Sequence, residues 1–141
     1  MKEFPLFKYY LRMIQQFAVF TGRADRTEYW WAVGMHCLVT VVLRYIISLL
    51  SVFQTLLDGS GIGIRLFSML LSTLLTLYSL AVIIPLSALT ARRLHDTNRS
   101  GWWSLISGTG VGTIVLLIWL CQKGTDDTNL FGSDPHPIRQ Y

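Results

Sequence analysis

Charge is absent from two long stretches of this 141-residue chain and nearly absent from a third. Residues 66–91 are 26 consecutive uncharged residues, and residues 100–122 are another 23. Residues 29–57 carry a single charge, Arg44. A helix rises 1.5 Å per residue, so crossing a hydrocarbon core of about 30 Å takes about 20 apolar residues. All three stretches are long enough. A globule this small has too much surface for its volume to bury them in water. Composition agrees: 52% of residues are apolar and 14% charged, against about 25% charged in soluble domains. A soluble monomer, a disordered chain and a large multidomain enzyme are excluded, and one small membrane domain is expected.

The predicted fold is all-α and multi-pass. Three transmembrane helices are expected near residues 30–50, 66–86 and 102–121, with an N-terminal amphipathic helix and a turn-rich C-terminal tail. These divide the chain into an interfacial segment at 1–28, a transmembrane bundle at 29–122 and a tail at 123–141. Tyr29, Trp30 and Trp31 open the first span, and Trp102 and Trp103 open the third. Rings of this kind anchor at the headgroup level, with the body in hydrocarbon and the polar edge in water. No ten-residue alternation points to a barrel. The first 28 residues show no cleavable signal pattern, so the first span is expected to be an uncleaved anchor. Lys2, Lys8, Arg12, Arg23 and Arg26 precede that span, and Arg92, Arg93 and Arg99 follow the second. Arg65, Lys123 and Arg139 fall on the other side of a three-span bundle. The positive-inside rule then predicts a cytoplasmic N-terminus and a periplasmic or extracellular C-terminus.

Phe7, Tyr10, Leu11, Ile14, Phe17 and Ala18 recur at helical spacing opposite Lys8, Arg12, Gln15 and Gln16. Such a helix lies in the interface plane or packs on the bundle. The glycine-rich stretch from Asp58 to Gly63 reads as a turn. Ser68, Ser72 and Thr76, and again Gly108 and Gly112, repeat small residues every four positions. That spacing lets helices approach closely, within one chain or between two copies. Pro85 predicts a kink or a membrane exit. Cys37 and Cys121 fall within spans and read as small apolar residues, and His36, His95 and His136 form no metal-ligand spacing. No metal, cofactor or nucleic-acid partner is expected. Arg44, the one charge inside a span, is expected to snorkel outward, the alternative being a bundle-facing polar pathway.

Polar residues gather in three segments. The first, residues 22–30, contains Arg23, Arg26 and Glu28, with Asp25 or Thr27 placed to cap a helix. The second, residues 91–103, contains Arg92, Arg93, His95, Asp96 and Arg99. Its arginines suit anionic headgroups. They also suit ion pairs with Asp25 and Glu28 across the same membrane face, a structural latch. His95 and Asp96 could instead serve as acid and base, although adjacent helical residues diverge by about 100°. The third, residues 124–135, is dense in Gly, Asn, Asp and Pro and reads as a series of turns.

Together the three segments resemble the domain-of-unknown-function family 805 of small bacterial inner-membrane proteins. The entry motif G-R-x-x-R-x-E-Y-W is matched by Gly22, Arg23, Arg26, Glu28, Tyr29 and Trp30. The central motif R-R-L-H-D-x-x-x-S-G-W-W is matched from Arg92 to Trp103. In the tail, Gly124, Thr125, Asn129, Phe131, Gly132, Asp134 and Pro135 match, while Asp127 stands where the family usually has Gly. A left-handed turn there would strain an aspartate. The resemblance implies a multi-pass inner-membrane protein and no activity. The expectation is therefore non-enzymatic, with no catalytic residue: a membrane component whose arginine-rich belt meets anionic lipid headgroups or a partner protein. An oligomeric transporter or channel subunit is the alternative, and a membrane enzyme using His95 and Asp96 the second alternative.

Overall fold

Hydrocarbon offers the backbone no hydrogen-bonding partner, so an uncharged stretch that enters it must satisfy its own amides, and a helix does so locally. The computed structural model describes residues 5–56, 61–133 and 135. Four α-helices run in chain order: α1, Pro5–Gln15; α2, Arg26–Leu56; α3, Ile62–Asp96; and α4, Gly110–Cys121. A 3-10 helix, Gly101–Gly108, lies between α3 and α4. No strand occurs among the described residues.

With 31 and 35 residues, α2 and α3 measure about 46 Å and about 52 Å, more than a membrane's hydrocarbon thickness. They contain the first two predicted spans and are long and apolar enough to cross a membrane. They run antiparallel. Glu28 meets Arg92, His36 meets Tyr78, and Arg44 shares a groove with Ser72 and Thr76. α3 continues past Pro85 to Asp96, carrying Arg92, Arg93, His95 and Asp96 on its last turns.

The third predicted span is not one helix. At 12 residues α4 is about 18 Å long, too short to cross. In a straight helix Trp103 and Trp119 would stand about 24 Å apart. Their rings instead meet edge to face at 5.6 Å. The chain descends through the 3-10 helix, breaks at Thr109 and returns along α4. Thr109 is extended, and its hydroxyl caps α4 by accepting from the Gly112 amide at 3.1 Å. A Cβ on Gly112 would overlap the Ile106 carbonyl. Gly108 and Gly112 therefore serve a tight reversal and not a straight packing stripe.

This reversal also corrects the predicted placement of the tail. Arg23, before α2, donates to the carbonyl of Asp127 at 2.7 Å and to that of Thr125. The segment before α2 and the segment after α4 thus lie at the same end of the hairpin, and the two cannot stand on opposite faces of a bilayer.

Burial is concentrated at that end, here called the cap. Met13, Ala24, Tyr29, Leu89, Leu94 and Leu120 form its apolar centre. Tyr29 is thus a core residue and not an interface anchor. Trp30, Trp31, Trp102 and Trp103 are exposed. α1 packs on α2 and α3 through Met13, Tyr9 and Tyr10. Its Phe7, Leu11 and Ile14 stay uncovered. Phe17 and Ala18 lie beyond its end. The glycine-rich turn falls largely on residues 57–60, outside the described residues, as do Lys2, Asp134, His136 and Arg139.

Candidate functional site: a buried polar cap

The cap is built around one carboxylate. Asp96 closes α3, and two arginines from different segments converge on it. Arg23 reaches Oδ1 with Nε at 3.0 Å and Nη2 at 2.8 Å. Arg93, three residues back on the same helix, donates Nη1 to Oδ2. The Arg93, Arg23 and Asp96 side chains are 0%, 1% and 5% exposed, so the cluster is shielded from water. Two cations on one anion leave a surplus positive charge, and backbone carbonyls absorb it. Arg93 also donates to the carbonyls of Leu120 and Gln122 at the end of α4. These are the groups a helix leaves without partners, at the negative end of its dipole.

The tail docks on the same carboxylate. Thr125 donates its amide to the Asp96 carbonyl at 2.9 Å. A Cβ on Gly124 would collide with the Asp96 carboxylate, so only glycine fits there. Asn129 donates to the His95 carbonyl at 2.8 Å. Phe131 stacks on the His95 ring at 4.0 Å, almost parallel. Gly132 supplies a φ of +135° that closes the last turn. Asp127 does not carry the expected strain. Among the described residues the one non-glycine with positive φ is Asn98, a residue type that tolerates it.

A second, smaller ion cluster stands beside the first. Asp25 caps α2, accepting from the Glu28 amide at 2.6 Å, so Asp25 is the cap residue and Thr27 is not. Glu28 then faces Arg92 at 3.8 Å and Arg12 at 3.6 Å. Arg92 also donates to Gln16. The expected pairing of central arginines with Glu28 forms through Arg92. The second arginine, Arg93, donates to Asp96, with Asp25 also acting on it electrostatically. Arg26 is exposed, 3.5 Å from the Cys121 carbonyl. Arg99 lies over the Trp119 ring at 4.8 Å, a cation–π contact.

His95 and Asp96 are not brought together as acid and base. Asp96 is held by the arginines, while His95 Nδ1 donates to the Gly22 carbonyl at 3.1 Å. That bond leaves Nε2 facing Gly101. Here a cleft of about 600 Å³ opens between α3 and the 3-10 helix, bordered by Phe20, Ala91, Trp102, Leu105 and Phe131. Composition and spacing did not reveal it, because its two walls meet only across the turn at residues 97–100.

Two features lie within the hairpin. Tyr10, Tyr78 and His36 form a hydrogen-bonded chain linking α1, α3 and α2. Burial and the bond with Tyr78 push the Tyr10 phenol above its ordinary value. The available signal was a polar aromatic inside each of the first two charge-poor stretches, His36 and Tyr78. Arg44 borders a groove of about 340 Å³ with Ser48, Ser51, Ser72 and Thr76. It is exposed, and among the described residues it has no hydrogen bond or ion pair. Ser72 and Thr76 bond carbonyls of their own helix.

The family described as "Protein of unknown function (DUF805)" matches residues 17–133. Inner membrane protein YhaH of Escherichia coli is 35% identical over 128 residues, covering 90% of this chain and 95% of that protein. Inner membrane protein YhaI of Escherichia coli is 38% identical over 129 residues, covering 91% and 95%. No solved structure matches the chain.

Proposed function

The chain belongs to the DUF805 family, and on that premise we propose that it is a non-enzymatic inner-membrane component that gathers anionic lipid headgroups around a rigid cytoplasmic cap. The observation that carries this reading is the segregation of charge. Lys8, Arg12, Arg23, Arg26, Arg92, Arg93, Arg99 and Lys123 all lie on cap segments, whereas Arg44 and Arg65 lie elsewhere on the hairpin. A bias of this size orients the cap toward the cytoplasm, with both flanking segments on that side. Arg23 and Arg93 act as the latch that holds the cap together. Arg12, Arg26 and Lys123 stay exposed and meet the headgroups. Each exposed cation near an anionic surface contributes about 1 kcal/mol. The engagement of Asp96 and His95 in structural contacts supports a non-enzymatic role.

Nanodiscs containing phosphatidylglycerol and phosphatidylcholine test the headgroup reading. Wild-type protein is expected to retain phosphatidylglycerol preferentially through detergent exchange, and a variant with Arg12, Arg26 and Lys123 replaced by Gln is expected to lose that preference. An unchanged preference in the folded variant overturns it. A C-terminal fluorescent reporter that matures only in the cytoplasm should light up, and a dark reporter beside active periplasmic phosphatase fusions overturns the orientation.

A second reading is favoured by the Arg44 groove. An exposed guanidinium at membrane depth beside four hydroxyls suits an anion path completed by another copy. A strictly monomeric state in bilayers counts against it.

A further inference from the structure

We propose that the cleft between α3 and the 3-10 helix holds one acyl chain of a bilayer phospholipid, with the lipid's glycerol ester region beside His95, Ser100 and Ser104. The proposal requires residence in the bilayer and does not depend on the headgroup contacts above. Direction is the first argument. The cleft follows α3 from His95, at the cap, to Ser87, about 12 Å further along the helix axis and away from the cap. It therefore runs along the hairpin, the way a lipid chain lies. Polarity is the second. His95 and Ser100 stand at the cap end, while Ala91 and Leu105 line the run below, with the Ser104 and Ser87 hydroxyls further along it. A volume of about 600 Å³ falls in the range of roughly 300–1,000 Å³ usual for small-molecule sites.

Continuity with the lipid surface is the third argument. Trp102 and Leu105, on the rim, are 79% and 71% exposed. They join the uncovered apolar surface of the hairpin, so the nearest molecule available to fill the cleft is the neighbouring lipid. The cleft is also built and not incidental. Gly101 lies so close to α3 that a Cβ there would approach the Ala91 Cβ to 2.7 Å, and this contact pins the upper end of the 3-10 helix. The bond from His95 to Gly22 and the stack on Phe131 fix the imidazole, with Nε2 on the cleft side. Ser100 accepts from the Trp102 amide and keeps its own proton to offer an ester carbonyl.

The wild-type protein is reconstituted with a phospholipid carrying a diazirine in one acyl chain, photolysed and digested. Adducts are expected to concentrate on the peptides bearing Ala91, Ser104 and Leu105 and to saturate at one per chain. The pattern should be the same for phosphatidylglycerol and phosphatidylcholine, which separates this result from the headgroup test. Adducts spread over the outer face of α2 without a maximum at the cleft overturn the proposal. So does a chain-to-chain cross-link through the cleft that excludes the lipid. As an independent readout, Ser104→Trp fills the cleft without touching the Asp96 cluster. It should lose one retained lipid per chain in native mass spectrometry, and full retention by the folded variant overturns the proposal.

Discussion

The two ends of the α2–α3 hairpin solve the problem of burial differently. At the cap, Glu28, Tyr29 and Ala32 are buried on α2, and from Ala88 to Leu94 every residue of α3 is buried. Beyond Ala32 no residue of α2 is buried, and before Val82 the only buried residue of α3 is Leu75. Val41 and Leu56 stand 64% and 76% exposed. The difference teaches where this protein's own cohesion resides. At the cap the chain supplies both partners of nearly every contact. Along the rest of the hairpin the lipid supplies one of them, and an apolar side chain gains little by exchanging lipid for protein.

If that contrast holds, substitutions at the cap unfold the protein while substitutions along the hairpin do not. The largest effect is expected from Asp96→Ala, which strands two buried guanidinium groups. Breaking a buried ion pair costs about 3–5 kcal/mol, so thermal unfolding in bicelles should drop well below wild type. A drop no larger than that of Leu74→Ala would break the comparison. Gly124→Ala comes next, since its methyl must displace the Asp96 carboxylate. Overpacking costs about 1–3 kcal/mol, and limited proteolysis should cut the tail faster while α2 and α3 stay intact.

Tyr10→Phe removes one end of the chain of hydroxyls that ties α1 to the hairpin. A loss of about 0.5–1.5 kcal/mol is expected. It has a pH signature. The folded phenol titrates above the ordinary value of 10.0, so its contribution is complete below pH 10 and is lost as pH rises further. Wild type should therefore lose stability above pH 10 more steeply than Tyr10→Phe, measured by denaturation at each pH. The smallest effect sharpens the contrast from the other side. Arg44→Leu lies in the lipid-packed half and should leave unfolding within about 0.5 kcal/mol of wild type. A large shift there would show that the groove contributes structure.

Much of this architecture is written in the charge-free stretches, because a helix that must satisfy its own amides needs only length and apolarity. The third stretch misleads for a physical reason. Its composition suits a span, but Gly108, Thr109, Gly110 and Gly112 allow a reversal that mean hydropathy does not register. The clustering of Arg23, Arg93 and Asp96 was legible as a belt, while their pairing was not. Asp25 and Asp96 look alike locally, and what separates them is Glu28 three residues after Asp25, the spacing of a capping box. Asp25 starts α2 with that spacing, while Asp96 is the anion to which both Arg23 and Arg93 donate. The His95 cleft had no sequence signal, since its walls meet only after the chain has turned back.

The bond between Arg23 and the Thr125 carbonyl spans 102 positions of sequence. It fixes an order of assembly during synthesis. Arg23, Arg93 and Asp96 are all made before Gly124 and Thr125, so the cluster lacks its tail contacts until residue 125 has emerged. Their emergence then brings Gly124 and Thr125 onto Asp96 and closes the cap. A chain that stops short of Gly124 would lack every one of these contacts and leave the Asp96 cluster open on that side.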